Sequence, residues 1–222
     1  MPASTRAGEE IAFAGTGDGY TLRDPSGNAA ARASEGTGMA ATISRYAPRA
    51  MERRGLTEPR LLAAARALGA WLAPGDVVLL QGPMGAGKTT FTRALAEGLG
   101  VLRPDRVRSP TFNLWLEHAG PRPLAHVDLF RLAADDDPSP GSVGAAAFES
   151  LGLSELVDAG EGPSSVVLVV EWAELWADPP GAALRIQILP DPANPGLRTL
   201  IADASGERPQ ALLHAWDAET AP

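Results

Sequence analysis

The chain has 222 residues, no cysteine and a formal net charge of −8. A chain without cysteine forms neither a disulfide framework nor a thiolate metal site. It also shows neither the basic start and apolar stretch of a secretory signal nor an apolar run long enough to span a bilayer. We therefore expect a cytoplasmic protein, and the length predicts one domain with additional sequence.

Residues 1 to 50 are poor in apolar side chains. They contain four Ile, Leu, Val or Phe residues against seven glycines, and their five acids and five arginines cancel. Such a segment cannot bury enough apolar surface to offset the entropy lost on ordering. We predict a disordered N-terminal extension over residues 1 to 50 and a folded domain over residues 51 to 222.

Charge is distributed unevenly over the predicted domain. Residues 51 to 131 carry 11 basic and 7 acidic groups, whereas residues 132 to 222 carry 3 basic and 15 acidic groups. Domains that bind nucleic acid on their own are usually strongly basic. The chain is therefore not expected to grip RNA alone, and its acidic half either docks a basic partner or is a solvated surface.

The first predicted elements of the domain are a helix and a buried strand. Thr57 can cap a helix in which Pro59 sits early, and Pro74 ends it. The apolar run VVLLQ at 77 to 81 is typical of a buried strand. Apolar residues recur within the helix at helical spacing, namely Leu61, Leu62, Ala65, Leu68 and Leu72.

A glycine-rich loop follows that strand and precedes a second helix, which Gly100 closes. The loop, GPMGAGKTT at 82 to 90, has the spacing Gly-x-x-x-x-Gly-Lys-Thr of a phosphate loop. A helix start exposes unpaired N–H groups that bind phosphate oxygens. The nucleotide-binding residues predicted here are Gly82, Pro83, Met84, Gly85, Ala86, Gly87, Lys88, Thr89 and Thr90.

Lys88 is the single lysine of a chain that contains 18 arginines. Lysine carries a compact charge on a thin stem and fits a tight loop, whereas arginine presents a wide planar fork. In such a loop Lys88 would reach the β- and γ-phosphates of a bound nucleotide, and Thr89 would offer its hydroxyl to Mg²⁺. The loop is therefore expected to bind phosphate groups together with Mg²⁺.

The remaining segments predict an α/β protein. TFNLWLE at 111 to 117 and LAHVDLFR at 124 to 131 read as an antiparallel pair of strands, and residues 144 to 158 as a helix. SVVLVVEW at 165 to 172 reads as a buried strand. ALRIQIL and TLIA then predict a hairpin across DPANPG, followed by a short helix near Leu212. The predicted fold is a three-layer P-loop NTPase-like α/β fold with a mostly parallel central sheet and an antiparallel pair.

Two acidic residues, with Lys88, are the catalytic candidates. Glu171 follows the run VVLVV, and open α/β sheets bind their ligands at the carboxyl ends of strands. The Glu171 carboxylate either acts on the bound magnesium and the attacking water or merely marks the end of a strand. Asp128 lies within a predicted strand, where a buried carboxylate needs a partner. That partner is either Mg²⁺ or, in a plain ion pair, Arg131.

Other polar residues near these segments are less specific. The hydroxyl groups of Ser109 and Thr111 either cap a strand or, on a mobile loop, sense the γ-phosphate. His126 alternates with Asp128 on one strand face, and a lone histidine is more often a structural hydrogen-bonding residue than a catalyst. No arginine is clearly placed to stabilise the transferring phosphate, although Arg131 and Arg108 are candidates.

Four segments in order carry a resemblance to a known family. They are GDVVLLQGPMGAGKTTFTRALAEGLG, SPTF, HVDLFRL and VVLVVEW. Together they resemble the TsaE (YjeE) family, the small ATPase of bacterial tRNA threonylcarbamoyladenosine synthesis, over roughly residues 56 to 190. The phosphate loop is shared by many families, whereas the last three segments in this order are much more specific. The chain departs from the family at Pro83, where an acid is usual, at Phe130, where tyrosine is common, and at Ala173, where proline or glycine is common.

The resemblance implies a function and roles for residues. Members of the family bind and slowly hydrolyse ATP with Mg²⁺, and they act with TsaD and TsaB, which transfer a threonylcarbamoyl group to an adenosine of tRNA. Contact with tRNA is then only indirect, through the complex. Thr89 and Glu171 match the magnesium-site residues, and Asp128 matches an essential acid near the γ-phosphate. Ser109 to Thr111 match a switch-like loop, and Trp172 is expected near the nucleotide pocket.

Two other classes of function share the phosphate loop. A small-molecule or nucleoside kinase has the same loop and sheet, but it commonly carries an arginine-rich lid. The stretch after Leu132 is acidic and contains no arginine until Arg185, which disfavours the kinase. The third hypothesis is a non-catalytic module whose loop only senses nucleotide.

Overall fold

The structure, a computed structural model, describes residues 51–110, 114–132, 139–150 and 165–220, together with two short strands in the N-terminal region. The chain divides into two compact units, Met1–Ala47 and Pro48–Pro222. In the first unit, β1 (Thr21–Arg23) pairs antiparallel with β2 (Ala29–Arg32). The predicted disorder of residues 1 to 50 and the boundary after residue 50 stay predictions.

One mixed sheet organises the second unit. Its described strands follow the spatial order β3-β9-β8-β4-β7-β6-β5. The middle strands β8, β4, β7 and β6 are mutually parallel, while β5 at one edge and β9 with β3 at the other run antiparallel to their neighbours. The strands are β3 (Met51–Leu56), β4 (Val77–Gln81), β5 (Trp115–His118), β6 (Leu124–Asp128), β7 (Val167–Glu171), β8 (Ala183–Pro190) and β9 (Arg198–Ser205).

Helices cover both faces of this sheet. Alternate residues of β4 point to opposite faces, so Val78 and Leu80 join one buried cluster while Val77 and Leu79 join another. The first cluster contains the apolar faces of α1 (Glu58–Trp71), α2 (Lys88–Leu99) and α4 (Glu207–Glu219). The second contains Phe148 of α3 (Ala145–Ser150). The result is the predicted three-layer α/β architecture. Among the described residues, no helix has the length and apolarity needed to cross a membrane.

The segments around the glycine loop fold as predicted. The strand VVLLQ is β4, and the helix after the loop ends at Gly100, which adopts a left-handed φ of 82°. The first helix begins after Thr57, although the Thr57 side chain makes no capping hydrogen bond. The antiparallel pair β5–β6 and the hairpin β8–β9 also match the prediction.

Several boundaries differ from the prediction. The strand predicted at 124 to 131 ends at Asp128, because its Oδ1 accepts a hydrogen bond from the Phe130 N–H (3.1 Å) and turns the chain into a short 3-10 helix. Of the strand predicted at 111 to 117, residues 111–113 lie outside the described residues, and β5 begins at Trp115, after Leu114 with its positive φ of 60°. The helix predicted at 144 to 158 is described only over α3, and its remainder lies outside the described residues.

Candidate active site

The phosphate loop connects β4 to α2 in the middle of the sheet. Gly82 has a φ of 132°, and a Cβ atom at this position would lie 2.2 Å from the backbone oxygen of Ile188 on β8. Only glycine therefore fits where the loop leaves β4. Gly87, with a φ of 107°, stands directly before α2 and takes the left-handed conformation that glycine adopts without strain. The unpaired N–H groups of the first turn of α2 are thereby presented at the carboxyl edge of the sheet.

Lys88 lies folded into the loop. Its side chain is 5% exposed, and Nζ donates to the carbonyl oxygens of Gly82 (2.6 Å) and Pro83 (3.1 Å). Nζ also lies 3.7 Å from the ring centroid of Trp172, which gives a cation–π contact. Burial lowers the pKa of Lys88, while the charges of nearby carboxylates, Glu171 foremost, act in the opposite direction. The ammonium group is therefore held at the centre of the loop by the two backbone carbonyls, by the Trp172 ring and by the nearby carboxylates.

Glu171 connects the end of β7 to the start of α2. Its side chain is 2% exposed. Oε2 accepts a hydrogen bond from the Thr89 hydroxyl (2.8 Å), and Oε1 accepts one from the Thr92 hydroxyl (3.1 Å). His126 Nε2 lies 2.8 Å from the same Oε1. The carboxylate is therefore fixed, with one oxygen directed at the predicted magnesium-binding threonine.

Asp128 lies beside Glu171 on the neighbouring strand, where the two residues are paired in register. Asp128 is 9% exposed; Oδ2 accepts a hydrogen bond from the Ser109 hydroxyl, and Oδ1 accepts one from the Phe130 N–H. The partner that a buried carboxylate requires is thus supplied by Ser109 of the SPTF segment. Thr111 of the same segment lies outside the described residues.

A cavity of about 520 Å³ opens between the loop and these two carboxylates. Its volume falls in the range of small-molecule sites. The predicted residues Gly82, Pro83 and Ala86 are not among its described lining residues; their backbone groups instead bond the side chains that hold the loop. The lining residues are Met84, Gly85, Gly87, Lys88, Thr89, Thr90, Ser109, Pro110, Asp128, Phe130, Arg131, Glu171 and Trp172.

Some residues of the site were not predicted. Phe130 packs on Trp172 with ring centroids 4.7 Å apart, and Trp172 adopts a left-handed φ of 59°. Glu174 Oε1 accepts a long hydrogen bond of 3.4 Å from the Gly82 N–H. Thr92 could have been found, because it lies one helical turn after Lys88 and faces the same strand ends.

His126 is completely buried against Glu171 and does not line the cavity. Its Nδ1 and the Nε2 of His118 are buried without a hydrogen-bond partner among the described residues, and the two rings lie 6.3 Å apart. This arrangement matches the structural role that the sequence favoured for His126 over a catalytic one. His118, on the edge strand β5, is the more exposed member of the pair.

His118 predicts a loss of stability on the acid side of neutrality. Burial, and secondarily the nearby His126, lowers the pKa of His118 below its usual 6.5. As the pH falls below 6.5, His118 takes up a proton in the unfolded chain before it does so in the folded chain. The free energy of unfolding therefore decreases until the pH has fallen below the lower pKa of the folded state. Above 6.5 both states are neutral and the effect vanishes. His118→Gln is expected to show a smaller decrease between about pH 7.5 and about pH 5, as measured by urea unfolding.

The matched control for this prediction is His214, an exposed histidine on α4. His214→Gln should keep the decrease that the natural chain shows. Equal decreases in the natural chain and in His118→Gln would contradict the assignment to His118.

The fold and the site together define a class of protein. A glycine loop joins a central parallel strand to a helix, and acidic residues end the two neighbouring strands β6 and β7 on the side of the loop. This is the arrangement of a P-loop-type α/β protein. The family model described as threonylcarbamoyl adenosine biosynthesis protein TsaE matches residues 57–195, and the chain belongs to this family.

Curated relatives and a solved structure agree with this assignment. The tRNA threonylcarbamoyladenosine biosynthesis protein TsaE of Bacillus subtilis is 39% identical over 151 residues, which cover 68% of this chain and 83% of that protein. The protein of the same name from Streptomyces coelicolor is 42% identical over 113 residues, covering 49% of this chain and 64% of that protein. The crystal structure of Bacillus subtilis YdiB matches with a TM-score of 0.54 at 26% identity, over 78% of this chain and 98% of that chain.

Proposed function

We propose that the chain binds ATP with Mg²⁺ and hydrolyses it slowly, as a partner of the TsaD–TsaB threonylcarbamoyl transferase in tRNA modification. The observation that carries this proposal is the convergence of Lys88, Thr89, Asp128 and Glu171 on one cavity beside the phosphate loop. Membership of a family named for threonylcarbamoyl adenosine biosynthesis supports the assignment to this pathway. The ATP cycle would regulate or reset the transferase, since the transfer itself belongs to TsaD and TsaB.

Phosphate binding rests on groups that the loop has already brought together. The first turn of α2 offers N–H groups and the positive end of a helix dipole, which favour anions. Lys88 adds a full charge at the same point, and its ammonium contacts carbonyl oxygens that a bound phosphate would join or replace. Trp172 and Phe130 add aromatic surface on the cavity wall.

Magnesium fits the donors that are present. The described part of the chain has no group of three or more histidine, aspartate or glutamate side chains that could hold a metal ion. Mg²⁺ commonly binds through one or two carboxylates together with substrate phosphates. The hydroxyl of Thr89 and the carboxylates of Glu171 and Asp128 are oxygen donors of the kind that it prefers. When bound, the ion would neutralise charge on the phosphates during hydrolysis.

The two carboxylates suit different tasks in hydrolysis. Glu171 is engaged by Thr89, Thr92 and His126, so we assign it the task of holding Thr89 and the metal-binding position. Asp128 lines the cavity beside Ser109, and we assign it the orientation of the water that attacks the γ-phosphorus. A bond forms from the water oxygen to the γ-phosphorus while the bond from the γ-phosphorus to the bridging oxygen breaks. ADP and inorganic phosphate leave, and the proton lost by the water passes to solvent. Lys88 stabilises the negative charge that develops.

Hydrolysis by the full chain, measured alone and with TsaD and TsaB, tests this function. Where an arginine supplied by a partner is used, it raises turnover by about 10³ to 10⁵. We expect phosphate release to be slow for the chain alone and to rise at least about tenfold when both partners are added. There are two controls: TsaD and TsaB without the chain, and TsaD and TsaB with the Lys88→Ala variant. A rate indifferent to both partners would contradict the proposal, and transfer of phosphate to a metabolite instead of water would favour a kinase.

A further inference from the structure

Arg198 joins the C-terminal hairpin to the phosphate loop. It is the first residue of β9, and its Nε donates a hydrogen bond to the carbonyl oxygen of Ala86 (2.9 Å). Its Nη1 donates to the carbonyl oxygens of Leu197 (2.9 Å) and Pro195, in the turn between β8 and β9. The turn therefore holds the guanidinium group in place, with its Nε directed at the loop.

The same hairpin also touches the beginning of the loop. The backbone oxygen of Ile188 on β8 lies so close to Gly82 that no side chain fits there. Between Gly82 and Ala86 the loop makes a turn, closed by a hydrogen bond from the Ala86 N–H to the Pro83 carbonyl oxygen (3.2 Å). Both ends of this turn thus contact the β8–β9 hairpin. Gly82 lies against the backbone oxygen of Ile188, and the Ala86 carbonyl oxygen accepts the hydrogen bond from Arg198.

The contact with Ala86 has a consequence for the following N–H group. In a trans peptide the C=O of one residue and the N–H of the next point in opposite directions. Since Arg198 holds the Ala86 carbonyl on its own side, the N–H of Gly87 is directed away from the hairpin. Gly87 lines the cavity, where N–H groups of the loop would meet phosphate oxygens.

We propose that Arg198 is a positioning residue of the phosphate loop: it orients the Ala86–Gly87 peptide and so prepares the loop for the phosphates of the nucleotide. This role rests on the proposed binding of ATP. Arg198 lies beyond residues 57–195, the segment that the family model matches. The match to the family model therefore does not itself assign a role to Arg198.

Arg198→Met tests the proposal, because methionine keeps an unbranched apolar stem and removes every donor. The matched control is Arg185→Met, which removes a half-buried arginine of the same hairpin whose partners, Asp203 and Ser205, lie away from the loop. Titration calorimetry with ATP and Mg²⁺ gives the Kd of each full-length variant, and thermal unfolding gives its Tm. A hydrogen bond to a charged group is worth enough to change an equilibrium about tenfold or more.

We expect the Kd for ATP to rise about tenfold in Arg198→Met and to change less than about twofold in Arg185→Met, at a temperature well below both Tm values. An unchanged Kd in Arg198→Met, or an equal rise in both variants, would overturn the role of Arg198. Should Arg198→Met not fold, Arg198→Leu, which also lacks a donor, takes its place with the same two outcomes. Failure of the natural chain to bind ATP would instead overturn the proposed function, so the two failures are distinguishable.

Discussion

Lys88→Ala is expected to lower ATP turnover by about 10² to 10³, because it removes the positive charge that Lys88 Nζ holds at the centre of the phosphate loop. Lys88→Arg is expected to be nearly as inactive. The ammonium group occupies a narrow space between the Gly82 and Pro83 carbonyls and the ring of Trp172. A planar guanidinium fork is too wide for such a space.

Phosphate release in the presence of TsaD and TsaB measures both variants. Thermal unfolding of each variant shows whether the fold is kept, so that loss of activity can be assigned to the site. Retention of most of the natural turnover in Lys88→Arg would contradict this account, since any cation would then serve. The composition agrees with a requirement for lysine at this position, because the chain has arginine at 18 positions and lysine only in the loop.

Glu171→Gln has the second largest expected effect. The amide keeps the shape of the carboxylate but removes the charge that faces Thr89 and the proposed magnesium position. We expect the variant to fold and bind ATP while turnover falls by about 10² or more. Glu171→Ala should in addition lose about 1 to 3 kcal/mol in the free energy of unfolding, because the buried His126 Nε2 then lacks its partner. Thr92 keeps its hydrogen bond to the Lys88 carbonyl oxygen (3.1 Å).

Urea unfolding and phosphate release separate these two effects. If Glu171→Ala still bound ATP and its turnover matched that of the natural chain, the catalytic role of Glu171 would be contradicted and the non-catalytic nucleotide sensor would be favoured. Unfolding free energies equal to the natural value in both variants would contradict the hydrogen-bond network around Glu171.

The parts of the site that sequence could predict are those with a local signal. β4, the glycine loop and α2 are consecutive, and their pattern of apolar run, glycines and helical spacing is readable from residues 77 to 100 alone. The sequence predicts Glu171 at a strand end and Asp128 within a strand, which in the structure ends at Asp128. The structure places them in register on neighbouring parallel strands.

The parts that sequence missed depend on contacts between distant segments. β3, Met51–Leu56, contains three charged residues and no alternating pattern, and it is a strand because β9 lies beside it. Arg198 contacts Ala86 across 112 positions, so nothing near either residue indicates the contact. The left-handed conformation of Trp172 likewise follows from its surroundings, since tryptophan has no local preference for it.

The modification of tRNA by TsaD and TsaB, measured over many turnovers with the natural chain or with Lys88→Ala, tests the central claim most directly. We expect the natural chain with ATP and Mg²⁺ to sustain formation of threonylcarbamoyladenosine, and Lys88→Ala to leave the reaction at the level reached without the chain. Equal modification with the two chains would contradict the claim that the ATP cycle of this site drives the complex.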